Sequence, residues 1–314
     1  MNIQNFIQGL HHVTATVSDA QEDYDFYTKL LGLRLVKKTV NFDNNQVYHF
    51  YYGNEAGTPG TIMTTFPYRG YGVRQGRIGP GQVAITSFSV PMAALDFWQS
   101  RLQGAGVSVQ ALTRFGQPTL RFLDPAGLVL ELVGDDDDAR TPWTTTQVEA
   151  AVAIRGFHHV VLSIAEVGPT FEFLEKVFGF ERVGVEGQYT RFAAQGGGAG
   201  QWVDVRHDGD HEKGINGLGT VHHVAWRIAD EAQQLELRRY LTEQLGFKVT
   251  EVKDRNYFRS IYFRIPGGVL FEVATIPPGF TVDEPLEALG QELKLPEWEE
   301  PQRAQIESVL PKLV

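Results

Sequence analysis

Six of the nine histidines in this chain fall in three adjacent pairs, His11-His12, His158-His159 and His222-His223, each set in an apolar or β-branched run. Glu272 follows the last pair by about fifty residues and is flanked by Phe271 and Val273. Imidazole nitrogens and a carboxylate oxygen presented by strands suit Fe(II), Mn(II), Ni(II) or Zn(II). Two histidines and one carboxylate on one face, with other positions open, favour non-haem Fe(II). There is no cysteine, which removes thiolate ligands, thiol nucleophiles and disulfides from consideration.

The elements that must hold these residues repeat four times. After His11-His12 the chain reads as a strand, a helix cap at Asp19, a helix with apolar residues three and four apart, a stop at Gly32 and three more strands. The unit is βαβββ. Its copies span about 9–66, 82–134, 156–206 and 220–276. The first two fill 1–134, a linker covers 135–155, and a tail follows from 277 to 314. The fold class is therefore α+β, with four βαβββ modules paired into two cup-shaped half-barrels. Aligning the last strands on their glycine puts Thr64, Glu131, Asp204 and Glu272 in one column, and aligning the first strands puts His12, Ala84, His159 and His223 in another. Both columns are expected to point into the cups, because alternate strand residues share a face.

Copy four supplies His223 and Glu272, and the third ligand depends on its partner. Pairing with copy one adds His12 and leaves Thr64 as a non-ligand; pairing with copy three adds His159, with Asp204 as a fourth candidate. Periodicity alone leaves both open. Strand period also sends His11 and His222 to the face opposite their neighbours, so a substrate role for either requires a twist or bulge.

Bulk properties narrow the partners. A chain of 314 residues with net charge −10 offers no counterion-releasing surface for nucleic acid. No apolar run approaches a membrane span, and Met1 to Asn5 lacks a secretory pattern, so a soluble cytoplasmic protein is expected. The Asp135–Asp138 run reads as a solvated turn rather than a calcium loop. The glycine-rich stretch 195–200 precedes a strand, which makes it a hairpin turn rather than a phosphate loop. The tail is expected to pack a short helix across the body or onto a second copy, leaving a homodimer open.

The fourfold βαβββ layout with in-strand His-His and Glu positions resembles the vicinal oxygen chelate superfamily, which includes glyoxalases, bleomycin resistance proteins and extradiol dioxygenases. Gly9-Leu10-His11-His12-Val13-Thr14, Thr220-Val221-His222-His223-Val224-Ala225 and the segment from Asp254 to Phe263 resemble the hydroquinone ring-cleaving dioxygenases within it. The resemblance covers nearly the whole chain. It implies that copies one and four share the iron, with His12, His223 and Glu272 as ligands. It further implies that Thr14, Arg255, Tyr262, His11 and His222 surround the reacting centre, and that the partners are a small aromatic diol and O2. The retained His158-His159 departs from that pattern and keeps the arrangement through His159 open, although a relic of duplication is the simpler reading. Glu131 and Asp204 are expected to be vestigial or ion-paired. A glyoxalase-type isomerase or lyase and a protein that sequesters small aromatics or drugs are the alternatives. Thr64 in the ligand column counts against the first, and the retained triad counts against the second.

Overall fold

Each repeat opens with a strand buried on both faces and turns into a helix at its first polar residues. In the computed structural model, which describes residues 3–314, the first repeat comprises β1 (Leu10–Val17), α1 (Ala20–Asp25), β2 (Arg34–Asn41), β3 (Asn44–Gly53) and β4 (Ile62–Pro67). Asp19 starts α1 by accepting from the backbone N–H groups of Gln21 and Glu22, each at 2.9 Å. Gly32 turns the chain back into strand at φ +71°, where an added Cβ would also meet Val148 at 2.8 Å.

The second repeat runs β5 (Gln82–Val90), α2 (Leu95–Gly104), β6 (Gln110–Arg114), β7 (Gln117–Leu123) and β8 (Val129–Gly134). The third runs β9 (Gly156–Ile164), α3 (Val167–Lys176), β10 (Glu181–Glu186), β11 (Tyr189–Ala193) and β12 (Trp202–His207). The fourth runs β13 (Thr220–Ile228), α4 (Glu231–Arg239), β14 (Lys253–Asp254), β15 (Phe258–Arg264) and β16 (Leu270–Pro278). Residues 195–200 join antiparallel β11 and β12, as a hairpin connection should.

Two eight-stranded sheets result, in the orders β14-β15-β16-β13-β1-β4-β3-β2 and β10-β11-β12-β9-β5-β8-β7-β6. Repeat one therefore joins repeat four through antiparallel β1 and β13, and repeat two joins repeat three through antiparallel β5 and β9. Matching turns tie the sheets together. Phe157 donates its backbone N–H to the Gly60 carbonyl and Leu10 donates to the Gly200 carbonyl, both at 2.8 Å.

The shared core lies between the sheets and takes Val13, Ala15 and Val17 of β1 together with Trp98, Phe173, Trp226 and Phe271. His12, Thr14 and Thr16 take the alternate places and line the cup of the first sheet. One departure from strict alternation sets the site. In β1, Leu10 pairs with Trp226 but His12 pairs with Ala225, so His11 is an extra residue; in β13, His222 is extra in the same way. These are β-bulges, which release the extra histidine from strict alternation; at the second of them both His222 and His223 line the cup. The bulge demanded by the sequence reading is thus present at both pairs. It also corrects the column assignment: in the second sheet Ala84 is the bulged residue and Ile85 takes the place that His12 holds in the first. Local pattern could not show this, since a bulge shifts alignment by one without altering hydrophobicity.

The acidic run is not simply solvated. Asp136 accepts from the Met92 N–H at 2.8 Å, and Asp138 forms an ion pair with Arg140 at 2.6 Å. Beyond β16, Lys37 is buried against Asp283 and Glu284, and α5 (Arg303–Val309) lays Ile306 onto the body of the first repeat, where the Tyr48 hydroxyl donates to the Pro311 carbonyl at 3.0 Å. Among the described residues no helix is long and apolar enough to cross a membrane.

Candidate metal centre

The sheet pairing brings together His12 from β1, His223 from β13 and Glu272 from β16. His12 Nε2 lies 3.3 Å from His223 Nε2, and Glu272 Oε2 lies 3.2 Å from the first and 2.8 Å from the second. All three side chains are buried, and they form the only group of this kind among the described residues. They sit on the floor of a cavity of about 490 Å³. His159 is not among them.

The donor set fits a divalent cation. Ser260 donates its hydroxyl to Glu272 Oε1, whereas Oε2 is buried with no hydrogen-bond partner. Burial alone would raise the Glu272 carboxyl, but the two imidazoles outweigh it and hold it well below the ordinary carboxylate range. Burial lowers His223. Positive charge is thus needed among these three atoms: a proton shared between the imidazoles and Glu272 supplies it without a metal, and a divalent cation supplies it when both Nε2 lone pairs and the carboxylate oxygen turn to it.

The adjacent histidines explain why the pairs exist. His11 Nδ1 is 2.9 Å from His12 Nδ1, and His222 Nδ1 is 2.8 Å from His223 Nδ1. With Nε2 of each ligand kept for metal, its Nδ1–H donates to the preceding ring, which fixes tautomer and orientation. The two outer histidines then differ. His222 is exposed and lines the cavity, while His11 is buried with its ring centroid 5.0 Å from that of Phe258 and outside the cavity wall. Burial lowers His222 to about 4 and His11 to about 3, so both are neutral near pH 7. Of the two, His222 alone is placed to meet a cavity ligand; His11, although its strand carries the bulge, does not line the cavity.

Tyr262 and Arg255 form one wall. Arg255 Nε donates to Tyr262 Oη at 3.0 Å, leaving the phenolic proton free to point at a ligand. Burial, then the nearby Glu272 charge, pushes the Tyr262 hydroxyl above its ordinary range and keeps it protonated. Thr14 lines the opposite side and shares a hydrogen bond of 2.8 Å with Thr64. The sequence reading missed His49, Tyr51 and Ser260, all of which face this cup. The signal available was polar and aromatic residues at alternate positions of β3 and β15.

The second cup is filled with charge instead of ligands. Arg114 donates to Glu131 at 2.6 Å and to His159 Nε2 at 2.8 Å, and Arg121 also pairs with Glu131 at 2.7 Å. Arg191 holds Asp204 through two bonds of 2.7 and 3.0 Å. His158 and His159 are buried and hydrogen-bonded, and Glu131 and Asp204 are ion-paired. A guanidinium here supplies the positive charge that a metal would, with Ile85 replacing the missing imidazole. His159→Ala should therefore keep the divalent-metal binding of the parent, while His12→Ala should lose it. Metal analysis of the two variants side by side checks this, and the reverse result would transfer the centre to the other sheet.

Paired βαβββ repeats with a candidate ligand set in one cup place the chain in a family, and it belongs to the Glyoxalase/Bleomycin resistance protein/Dioxygenase superfamily, which residues 9–132 and 156–273 match. Among curated proteins it is similar to the "Putative ring-cleaving dioxygenase MhqO" of Bacillus subtilis (strain 168), with 47% identity over 96% of this chain and 95% of that one. It is 40% identical to the "Chlorohydroquinone/hydroquinone 1,2-dioxygenase" of Sphingobium indicum, over 94% of this chain and 93% of that one. A crystal structure of a "putative dioxygenase" from Bacillus subtilis superposes with a TM-score of 0.94 at 46% identity, covering 98% of each chain.

Proposed function

We propose that this chain is an Fe(II)-dependent ring-cleaving dioxygenase that inserts both atoms of O2 into an aromatic diol, a substituted hydroquinone in the first instance. The observation that carries the reading is the buried carboxylate oxygen of Glu272, without a partner and facing two imidazole nitrogens in a cavity large enough for one aromatic ring. The site lacks a fourth protein ligand, because Thr64 already bonds Thr14 and His49. The name of the Sphingobium relative supports hydroquinones as the substrate class.

His12, His223 and Glu272 would hold the ion. Fe(II) bound there would leave positions for a phenolate oxygen and for O2, and would pass electron density from the ring to oxygen. The chain's own side chains do the rest. Tyr262, with Arg255 behind it, donates to negative charge developing on a ligand oxygen, an interaction strengthened in a cavity with few competing waters. His222, neutral and accepting the His223 Nδ1–H at its own Nδ1, carries its proton on Nε2 and lines the cavity, where it donates a hydrogen bond to an oxygen of the incoming diol. His11 holds the His12 ring in place. Both oxygen atoms remain in the product, so no external reductant is consumed.

Anaerobic reconstitution followed by O2 uptake with hydroquinone, methylhydroquinone and catechol tests the reading. Iron retention with diol-dependent uptake supports it. Nickel or zinc without uptake would indicate an isomerase or lyase, and absence of metal would indicate sequestration. Tyr262→Phe should keep iron yet lower kcat roughly 10- to 100-fold, toward the lower end of what loss of one charge-stabilising donor costs. Equal kcat in Tyr262→Phe and parent would remove Tyr262 from the mechanism.

A further inference from the structure

A chain of hydrogen bonds runs down the wall facing Tyr262. Tyr51 Oη is 3.0 Å from His49 Nδ1, His49 Nε2 is 3.0 Å from Thr64 Oγ1, and Thr64 Oγ1 is 2.8 Å from Thr14 Oγ1. Its direction follows from the two hydroxyls that flank His49: a phenol is a stronger donor and a weaker acceptor than an alkyl hydroxyl, so Tyr51 donates to Nδ1 and Thr64 accepts from Nε2. Neutral imidazole carries one N–H, which then lies on Nε2 and donates to Thr64. Thr64 is fully buried and does not line the cavity, so its own proton goes to Thr14. Thr14 does line the cavity, and its proton is left over. The reversed direction would spend the imidazole N–H on the phenol oxygen and leave Tyr51, which also lines the cavity, with the spare proton in place of Thr14.

The chain is not needed to build a cup. At the four equivalent positions of the second sheet stand Arg121, Thr119, Glu131 and Ser87, matched through the pairings Tyr51 with Thr64 and Arg121 with Glu131, and Thr14 with Thr64 and Ser87 with Glu131. That sheet has the same strand order and curvature without the relay. The relay belongs to the cup that holds the triad.

We infer that Tyr51 and His49 are positioning residues which, through Thr64, fix the Thr14 hydroxyl as a hydrogen-bond donor to an anionic oxygen of the cavity ligand. Thr14 touches the ligand; His49 and Tyr51 act through it. The ligand class this selects is a phenolate or another oxyanion, held between the Thr14 and Tyr262 hydroxyls. The identity of that ligand as a ring diol rests on the function proposed above, whereas the direction of the relay does not.

Two measurements test this on the full-length chain. Long-range proton–nitrogen spectra of the histidine-labelled, Zn(II)-loaded protein should show His49 as the Nε2–H tautomer between pH 6 and 8, changed in Tyr51→Phe. An Nδ1–H tautomer or an imidazolium in the parent would overturn the assigned direction. Anaerobic fluorescence titration of the Fe(II) protein with hydroquinone should give a Kd raised about 5- to 10-fold in Tyr51→Phe and His49→Leu, the size of one lost hydrogen bond. Iron content should be unchanged, and His49→Gln, which keeps a donor toward Thr64, should recover most of the affinity. Parent-like Kd values in both Tyr51→Phe and His49→Leu would overturn the positioning role. If the parent binds no hydroquinone while His49 shows the Nε2–H tautomer, the relay stands and the diol reading falls.

Discussion

Glu272→Ala is expected to yield a folded protein that retains no iron after anaerobic reconstitution and desalting. Among the described residues only three side chains form the ligand group, so the variant keeps two imidazoles and no anionic ligand. Loss of an outer partner of a ligand costs about 10- to 100-fold in metal affinity or activity, and loss of the ligand itself must cost more. The apoprotein should not suffer comparably, because the change costs the Ser260–Glu272 hydrogen bond, about 1 kcal/mol, while also removing an ionised carboxylate from the core. A metal-free denaturation curve near that of the parent, combined with lost iron, is the expected pair of results. The same conclusion can be read from linkage: Fe(II) at 100 times its Kd should stabilise the parent by about 2.7 kcal/mol and Glu272→Ala not at all. Full iron occupancy in this variant would end the assignment of the centre.

Arg114→Met is expected to have the opposite signature, with large loss of stability and iron retained. Arg114 is buried between Glu131, Asp204 and His159, so its removal leaves Glu131 with Arg121 and Asp204 with Arg191 as their remaining cations and one negative charge in the core uncompensated. Breaking a buried pair from one side typically costs about 3–5 kcal/mol. The pH dependence follows from the sign of the shift at Glu131. Burial raises that carboxyl, but Arg114, followed by Arg121 and Ser87, lowers it below its ordinary range in the folded protein. A depressed carboxyl contributes stability that is present above its unfolded pKa and lost as pH falls through the folded value. In Arg114→Met the largest lowering contribution is lost and only those of Arg121 and Ser87 remain, so the gap between parent and variant should be widest near neutrality and narrow in acid as the carboxylates protonate. Asp204 behaves differently in the parent, since burial wins there and raises it despite Arg191 and Arg114. Urea denaturation of both proteins at pH 7 and pH 4 measures the gap, and a gap independent of pH would show that lost packing rather than lost charge dominates.

The two variants divide a duplicated scaffold by its chemistry. One cup takes its positive charge from solution through three neutral or anionic ligands; the other carries the charge covalently on an arginine. Both solutions satisfy the same requirement, that carboxylates pointing into a closed cup find a cation. This is why Glu131 and Asp204 remain acidic although they ligate nothing among the described residues.

The amino-acid sequence by itself determined the repeat, the strand character of the three histidine pairs, and the fact that Glu272 shares a face with a first-strand histidine. These depend on local periodicity, which a strand prints directly into its residues. Tertiary structure decided which repeats pair, and hence that His12 rather than His159 meets His223 across 211 positions of chain. Every first strand is apolar enough to join any other, so the choice lies in long-range packing and not in any single segment. It also decided the bulges at His11 and His222, the displacement of Ala84 by Ile85, the arginine in the second cup and the relay from Tyr51 to Thr14. Each of these depends on what lies opposite a residue rather than beside it, because a neighbour across a sheet is set by register and register belongs to the pair of strands.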